Sequence, residues 1–110
     1  MRRVTMADCK VTVDAGVCKM KTVIIAKTNE DGEVVLDIQS DCSKVLEMSW
    51  GVKPIYAWSC VESPMNETEI YQLASKCLKH AACPVPCAVL KAIEVAGELG
   101  IKRDAVITIE

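Results

Sequence analysis

The chain has 110 residues, of which 51% are hydrophobic and 25% charged. That is the make-up of one ordinary globular domain, residues 1–110, large enough to bury a core without covalent staples. The net charge of −2, with both signs interspersed, excludes the basic stripe of a nucleic-acid binder, and no window approaches the ~20 apolar residues of a membrane span.

Phe is absent and aromatics make up only 4%, so the core must be built from Val, Ile, Leu, Ala, Met and Cys. Met1-Arg2-Arg3 is too short for a basic arm, and Val4-Thr5-Met6-Ala7-Asp8 holds no apolar signal region. The expected location is therefore cytoplasmic, where thiols stay reduced. Seven cysteines then stand out. An odd number cannot pair completely, and cytosolic cysteine enrichment points to metal or thiol chemistry.

Residues 10–14 alternate Lys, Val, Thr, Val, Asp, a short half-buried strand. A β-branched run over 19–27 predicts a second strand, and 33–39 a third with Val34, Leu36 and Ile38 on one face. Asn29-Glu30-Asp31-Gly32 between them reads as a hairpin loop, with Gly32 free to take positive φ. Ser40 or Asp41 is placed to N-cap a short helix toward Trp50, stopped by Gly51 and Pro54. Residues 51–66 fit a short strand or a turn of helix equally well.

Asn66 and Glu69 have the form of a capping box, and Ile70, Leu73, Ala74, Cys77 and Leu78 carry helical periodicity through Lys79. A further helix is predicted from Cys83-Pro84-Val85-Pro86, because proline is tolerated only in a helix's first turn. Lys91, Glu94 and Glu98 share one of its faces and nearly all else is apolar, so this helix should be largely buried, closing at Gly100. Residues 105–110 alternate as a last strand. The fold class expected is α+β: a three-stranded antiparallel meander, then helices, then a final strand, in two layers.

Three cysteines fall at element ends: Cys18 in the first turn, Cys42 at the start of the helix after strand three, and Cys83 as the natural cap of the Pro84 helix. A helix N-terminus favours thiolate, the form that binds metals and attacks electrophiles. The bland alternative is core filling, since cysteine is among the most buried residue types. It is the expectation for Cys77, on the stripe Ile70–Ala74–Cys77–Ala81, and Cys9 and Cys60 read as bystanders. Cys87, one turn beyond Cys83, fits ligand and packing roles alike. His80, the only histidine, lies three residues before Cys83 and is a candidate fourth ligand, with Cys77 or Cys87 in its place otherwise. No C-x-x-C pair occurs, and Met20, Met48 and Met65 read as packing.

The segment Lys79-His80-Ala81-Ala82-Cys83-Pro84-Val85-Pro86, with Gly16-Val17-Cys18 and Ser40-Asp41-Cys42, resembles a family of uncharacterised proteins of similar length from anaerobic bacteria and archaea. That resemblance covers most of the chain and implies no activity. The layout is also similar to IscU-like iron–sulfur scaffolds and the N-terminal part of NifU, where one cysteine precedes a strand hairpin, a second starts the following helix and a third, beside a histidine, leads a late helix. The resemblance implies an iron–sulfur cluster on Cys18, Cys42 and Cys83. This chain departs from it in having Met20 where the scaffolds have aspartate, Asp41-Cys42 where they have Gly-Cys, and His80 three residues from its cysteine rather than adjacent.

The functional expectation is thus a metal- or cluster-binding protein in storage, delivery or sensing. Zinc in a structural or regulatory Cys₃His site is the first alternative, since soft thiolates suit both. A persulfide carrier using Cys83 is the second, because Cys-Pro-x-Pro opening a helix resembles the sulfur-relay motif of TusA-type proteins. The expected partners are the metal or cluster and a protein for cluster or sulfur transfer, with no nucleic acid, no membrane, and a homodimer left open. No nucleophile–base pair, phosphate loop or paired carboxylates support a stand-alone enzyme.

Overall fold

The structure, a computed structural model, describes residues 8–110. The reading of residues 1–7 as neither arm nor signal region lies outside them. Three strands, β1 (Cys9–Asp14), β2 (Lys21–Thr28) and β3 (Val34–Ser40), form an antiparallel sheet in the order β1-β2-β3. Helices α1 (Ser43–Ser49), α2 (Ala57–Glu62), α3 (Glu69–Cys77) and α4 (Val85–Ala96) follow, with one 3₁₀ turn over Met65–Glu67. This is the expected α+β arrangement of a meander followed by helices.

Period-two alternation sets the faces of the sheet. On β2, Thr22, Ile24 and Ala26 are buried, while Lys21 and Lys27 are exposed. Register carries that apolar face across all three strands, with Val11 and Ile38 opposite Ile24, and Cys9 and Leu36 opposite Ala26. The other face presents Lys10, Thr12, Asp14, Asp37 and Gln39 to solvent. In the β2–β3 turn Asn29 Oδ1 accepts from the N–H groups of Asp31 and Glu33 at 3.0 and 2.9 Å. Gly32 adopts φ +84° there, a left-handed conformation that glycine enters without steric cost.

The helices cover the apolar face. α4 packs over β1 and β2, while α1 packs on β3 and α3. Val89, Ala92 and Ile93 have no exposed surface, as expected for the most apolar helix. α2 sits against α4 at Gly97, where a Cβ would collide with the Cβ of Ala57. Residues 55–62, illegible in sequence, therefore become a bridge at Ile55 to Val34, then a helix docked on a glycine.

Several caps differ from expectation. α3 starts from Thr68 rather than Asn66: Thr68 Oγ1 accepts from Tyr71 N–H at 3.2 Å, and Thr68 is buried. Two polar residues near a helix start both satisfy the sequence rule, and burial decides between them. α4 has Pro84 as its N-cap, with Cys83 one position further out. It ends at Ala96 with Gly97 as C-cap, and Glu98 takes the left-handed position at φ +63°. Leu99 and Gly100 N–H then both donate to the Glu94 carbonyl.

The last strand is the main correction to the predicted fold. Residues 101–110 have no regular secondary structure and all are exposed. Their alternation is genuine, but an alternating segment becomes a strand only where an edge receives it.

Ile93→Ala should cost about 2–5 kcal/mol, as other large-to-small changes at fully buried sites do, measured as a fall in denaturant midpoint at unchanged slope. Gly97→Ala should cost about 1–3 kcal/mol by overpacking against α2. Adding Ala57→Gly should recover part of that loss, a non-additive cycle that would vanish if the two residues did not touch.

Candidate thiol site

Reciprocal hydrogen bonds between Lys21 and Asp41 fix one end of the sheet. Lys21 N–H donates to Asp41 Oδ2 at 3.1 Å and Asp41 N–H donates to the Lys21 carbonyl at 3.0 Å. The start of β2 is thus clamped to the end of β3, and Cys42, the N-cap of α1, follows directly. Cys42 N–H donates to Ser40 Oγ, whose hydroxyl also shares a hydrogen bond with Thr22 Oγ1. The loop joining β1 to β2 leaves from the same end. It is closed by Ala15 N–H to the Met20 carbonyl and Lys19 N–H to the Gly16 carbonyl, and it carries Cys18 at its exposed tip.

At the opposite end Thr28 Oγ1 donates to the Ala96 carbonyl at 2.8 Å. The C-terminus of α4 therefore lies where β2 finishes. Cys83 precedes its first turn, half-buried, its N–H donating to the His80 carbonyl. Cys18 thus sits at a loop tip, and Cys42 and Cys83 at the starts of two helices.

They do not form a finished ligand set. Among the described residues no group of three or more His, Cys, Asp or Glu side chains stands close enough to hold a metal ion. Cys42 and Cys83 also pack against the hydrophobic core, so part of their burial is ordinary packing. His80 is exposed in the turn after α3.

The remaining cysteines separate by environment, and all seven are free. Cys60 is buried in α2 among core residues; burial pushes its thiol up from 9.0, opposed by a hydrogen bond with Ser59 and reinforced by Glu69 and Glu94. Burial likewise raises Cys9, against the nearby Lys102 ammonium. Cys77 packs on the core as expected. Cys87 is exposed, and the Tyr71 phenol of α3 is pushed up by burial and then by the negative charge of the Cys87 thiolate.

One surface went unnoticed in the sequence. Tyr56 and Trp58 stack at 6.1 Å between ring centroids, and Val61 and Met65 of the following residues are also exposed. Met65 lines a shallow groove with Asn66, Tyr71 and Ser75. The available signal was two aromatics two residues apart, which sequence alone assigns to strand or helix equally well.

The fold and its cysteines are those of a small α+β protein with seven free thiols, one at a loop tip and two beside helix starts. Residues 9–109 match the model of a family of unknown function, DUF6951, and the chain belongs to that family. No curated protein and no solved structure matches it.

Alkylation of the folded protein at neutral pH should label Cys18 and Cys87 first and Cys60 last, because only thiolate reacts and burial both shields Cys60 and keeps it protonated. Mass spectrometry of peptides after timed quenching reads the order. Fast labelling of Cys60 would show that α2 is not seated on α4.

Proposed function

We propose that the protein binds an iron–sulfur cluster or another soft metal centre through Cys18, Cys42 and Cys83, for storage, delivery or sensing. One observation carries the reading: Cys18, Cys42 and Cys83 all sit at element ends, in the β1–β2 loop, at the N-cap of α1 and one residue before the N-cap of α4. Thiolates are the first choice of ligand for such centres. Since the described residues hold no ready trio, ligation requires the 15–20 loop to bring Cys18 toward Cys42 and Cys83. Metal binding and local ordering would then be one event. His80 or Cys87 supplies the fourth ligand, the first from the turn before Cys83 and the second from one helical turn beyond it; Cys77 is the remaining candidate. Transfer of the centre would need a partner protein.

The test is protein purified without oxygen and reconstituted with iron and sulfide or with zinc, followed by visible spectrum, metal and sulfide analysis, and intact mass. The expected result is a thiolate–iron absorption that Cys18→Ser, Cys42→Ser or Cys83→Ser each abolishes, while Cys9→Ser and Cys60→Ala retain it. Stoichiometric zinc without colour would move the assignment to a Cys₃His or Cys₄ site. A metal-free protein carrying extra sulfur on Cys83 would move it to a persulfide carrier. Metal-free, unmodified protein after reconstitution overturns the reading.

A further inference from the structure

The C-terminal segment has the alternation of an apolar strand but joins no sheet. Ile101, Val106, Ile107 and Ile109 are 83%, 79%, 80% and 91% exposed, in a chain whose other aliphatic residues mostly reach the core. Such a segment in water is a template for pairing with a sheet edge.

Two edges are on offer. β3 is partly closed, because Val34 exchanges both backbone hydrogen bonds with Ile55. Among the described residues nothing pairs with the outer edge of β1. Its core-facing residues Cys9 and Val11 are only half-buried, whereas their neighbours Ile24 and Ala26 on β2 are fully buried. One more strand beside β1 would complete that face.

Matching the two segments antiparallel gives a specific register. Val11 falls opposite Ile109 and Val13 opposite Ile107, both pairs on the core face. Thr12 falls opposite Thr108, and Lys10 opposite Glu110, on the solvent face. Apolar, threonine and opposite-charge cross-strand pairs are each favourable. A parallel match of the same residues sets Glu110 beside Asp14.

The chain's own tail cannot reach this register. α4 ends at the Thr28 end of the sheet, and the Gly100 N–H is tied back to the Glu94 carbonyl. Ala105, which would face Ala15, is five residues beyond Gly100, a reach of at most about 17 Å. The sheet from the level of Thr28 to that of Ala15 spans eight residues, about 26 Å. A second copy facing the first meets no such limit, and a two-fold axis lets both tails dock at once.

We propose that two copies of this chain exchange their C-terminal segments, residues 105–110 of each adding as an antiparallel fourth strand to the outer edge of the other's β1, with Lys10 opposite Glu110. The exchange closes both open edges and removes Ile107 and Ile109 from water.

The mass of the full reduced chain, measured by light scattering after size exclusion, should be that of two chains. A chain stopped after Lys102 should give one. Lys10→Glu and Glu110→Lys should each raise the dimer dissociation constant by roughly twofold to thirtyfold, since the pair occurs twice, and the double variant should recover. Mixing Thr12→Cys chains with Thr108→Cys chains under mild oxidation should give a 12–108 disulfide between chains, identified by peptide mass. A one-chain mass at high micromolar concentration overturns the proposal. So does a dimer that survives removal of the tail, or a 12–108 link that forms only when both cysteines are on one chain. The charge-swap pair keeps the test decisive if the shortened chain fails to fold.

Discussion

A three-stranded sheet with one apolar face must be covered from one side, and α4 does most of that covering. Val89, Ala92 and Ile93 have no surface left in water, and Ala96 has almost none. The helix can lie close because two of those residues are alanines and because Gly97 leaves room for Ala57 at its end. In a chain without Phe, small side chains and close backbones do what rings do elsewhere, and the remaining helices are arranged around that contact.

The same contact sets the polarity of the molecule. Thr28 holds the last carbonyl of α4, so the chain leaves the helix at the end of the sheet opposite the Asp41–Lys21 clamp. The β1–β2 loop and the start of α1 lie at the clamped end, while the other end receives the chain's departure into the tail.

Local chemistry was legible and long-range closure was not. The Asn29–Gly32 turn, the alternation of β2 and β3, and the burial of α4 each follow from residues within a few positions of one another. α2 stayed hidden because its six residues are too few to show a helical period and its docking depends on a glycine some forty residues away. Asn66 and Thr68 obey the same capping rule, and only the packing of Thr68 separates them. For residues 105–110 the alternation is real, but no strand edge of the described residues receives it. The cysteines at element ends could be picked out by position. How they sit relative to one another depends on the packing of α4, which no local rule encodes.

The placement of the rings governs what light can report about this protein. Trp50 and Trp58 are 79% and 57% exposed, Tyr56 is exposed beside Trp58, and no aromatic side chain is among the buried core residues. Indole emission already comes from a wet environment in the folded state, so denaturation should shift it little, and near-ultraviolet dichroism should be weak. Backbone signals will follow unfolding better. By the same token, whatever docks over Tyr56 and Trp58 would quench or blue-shift an otherwise quiet fluorescence, which makes the native chain its own binding probe.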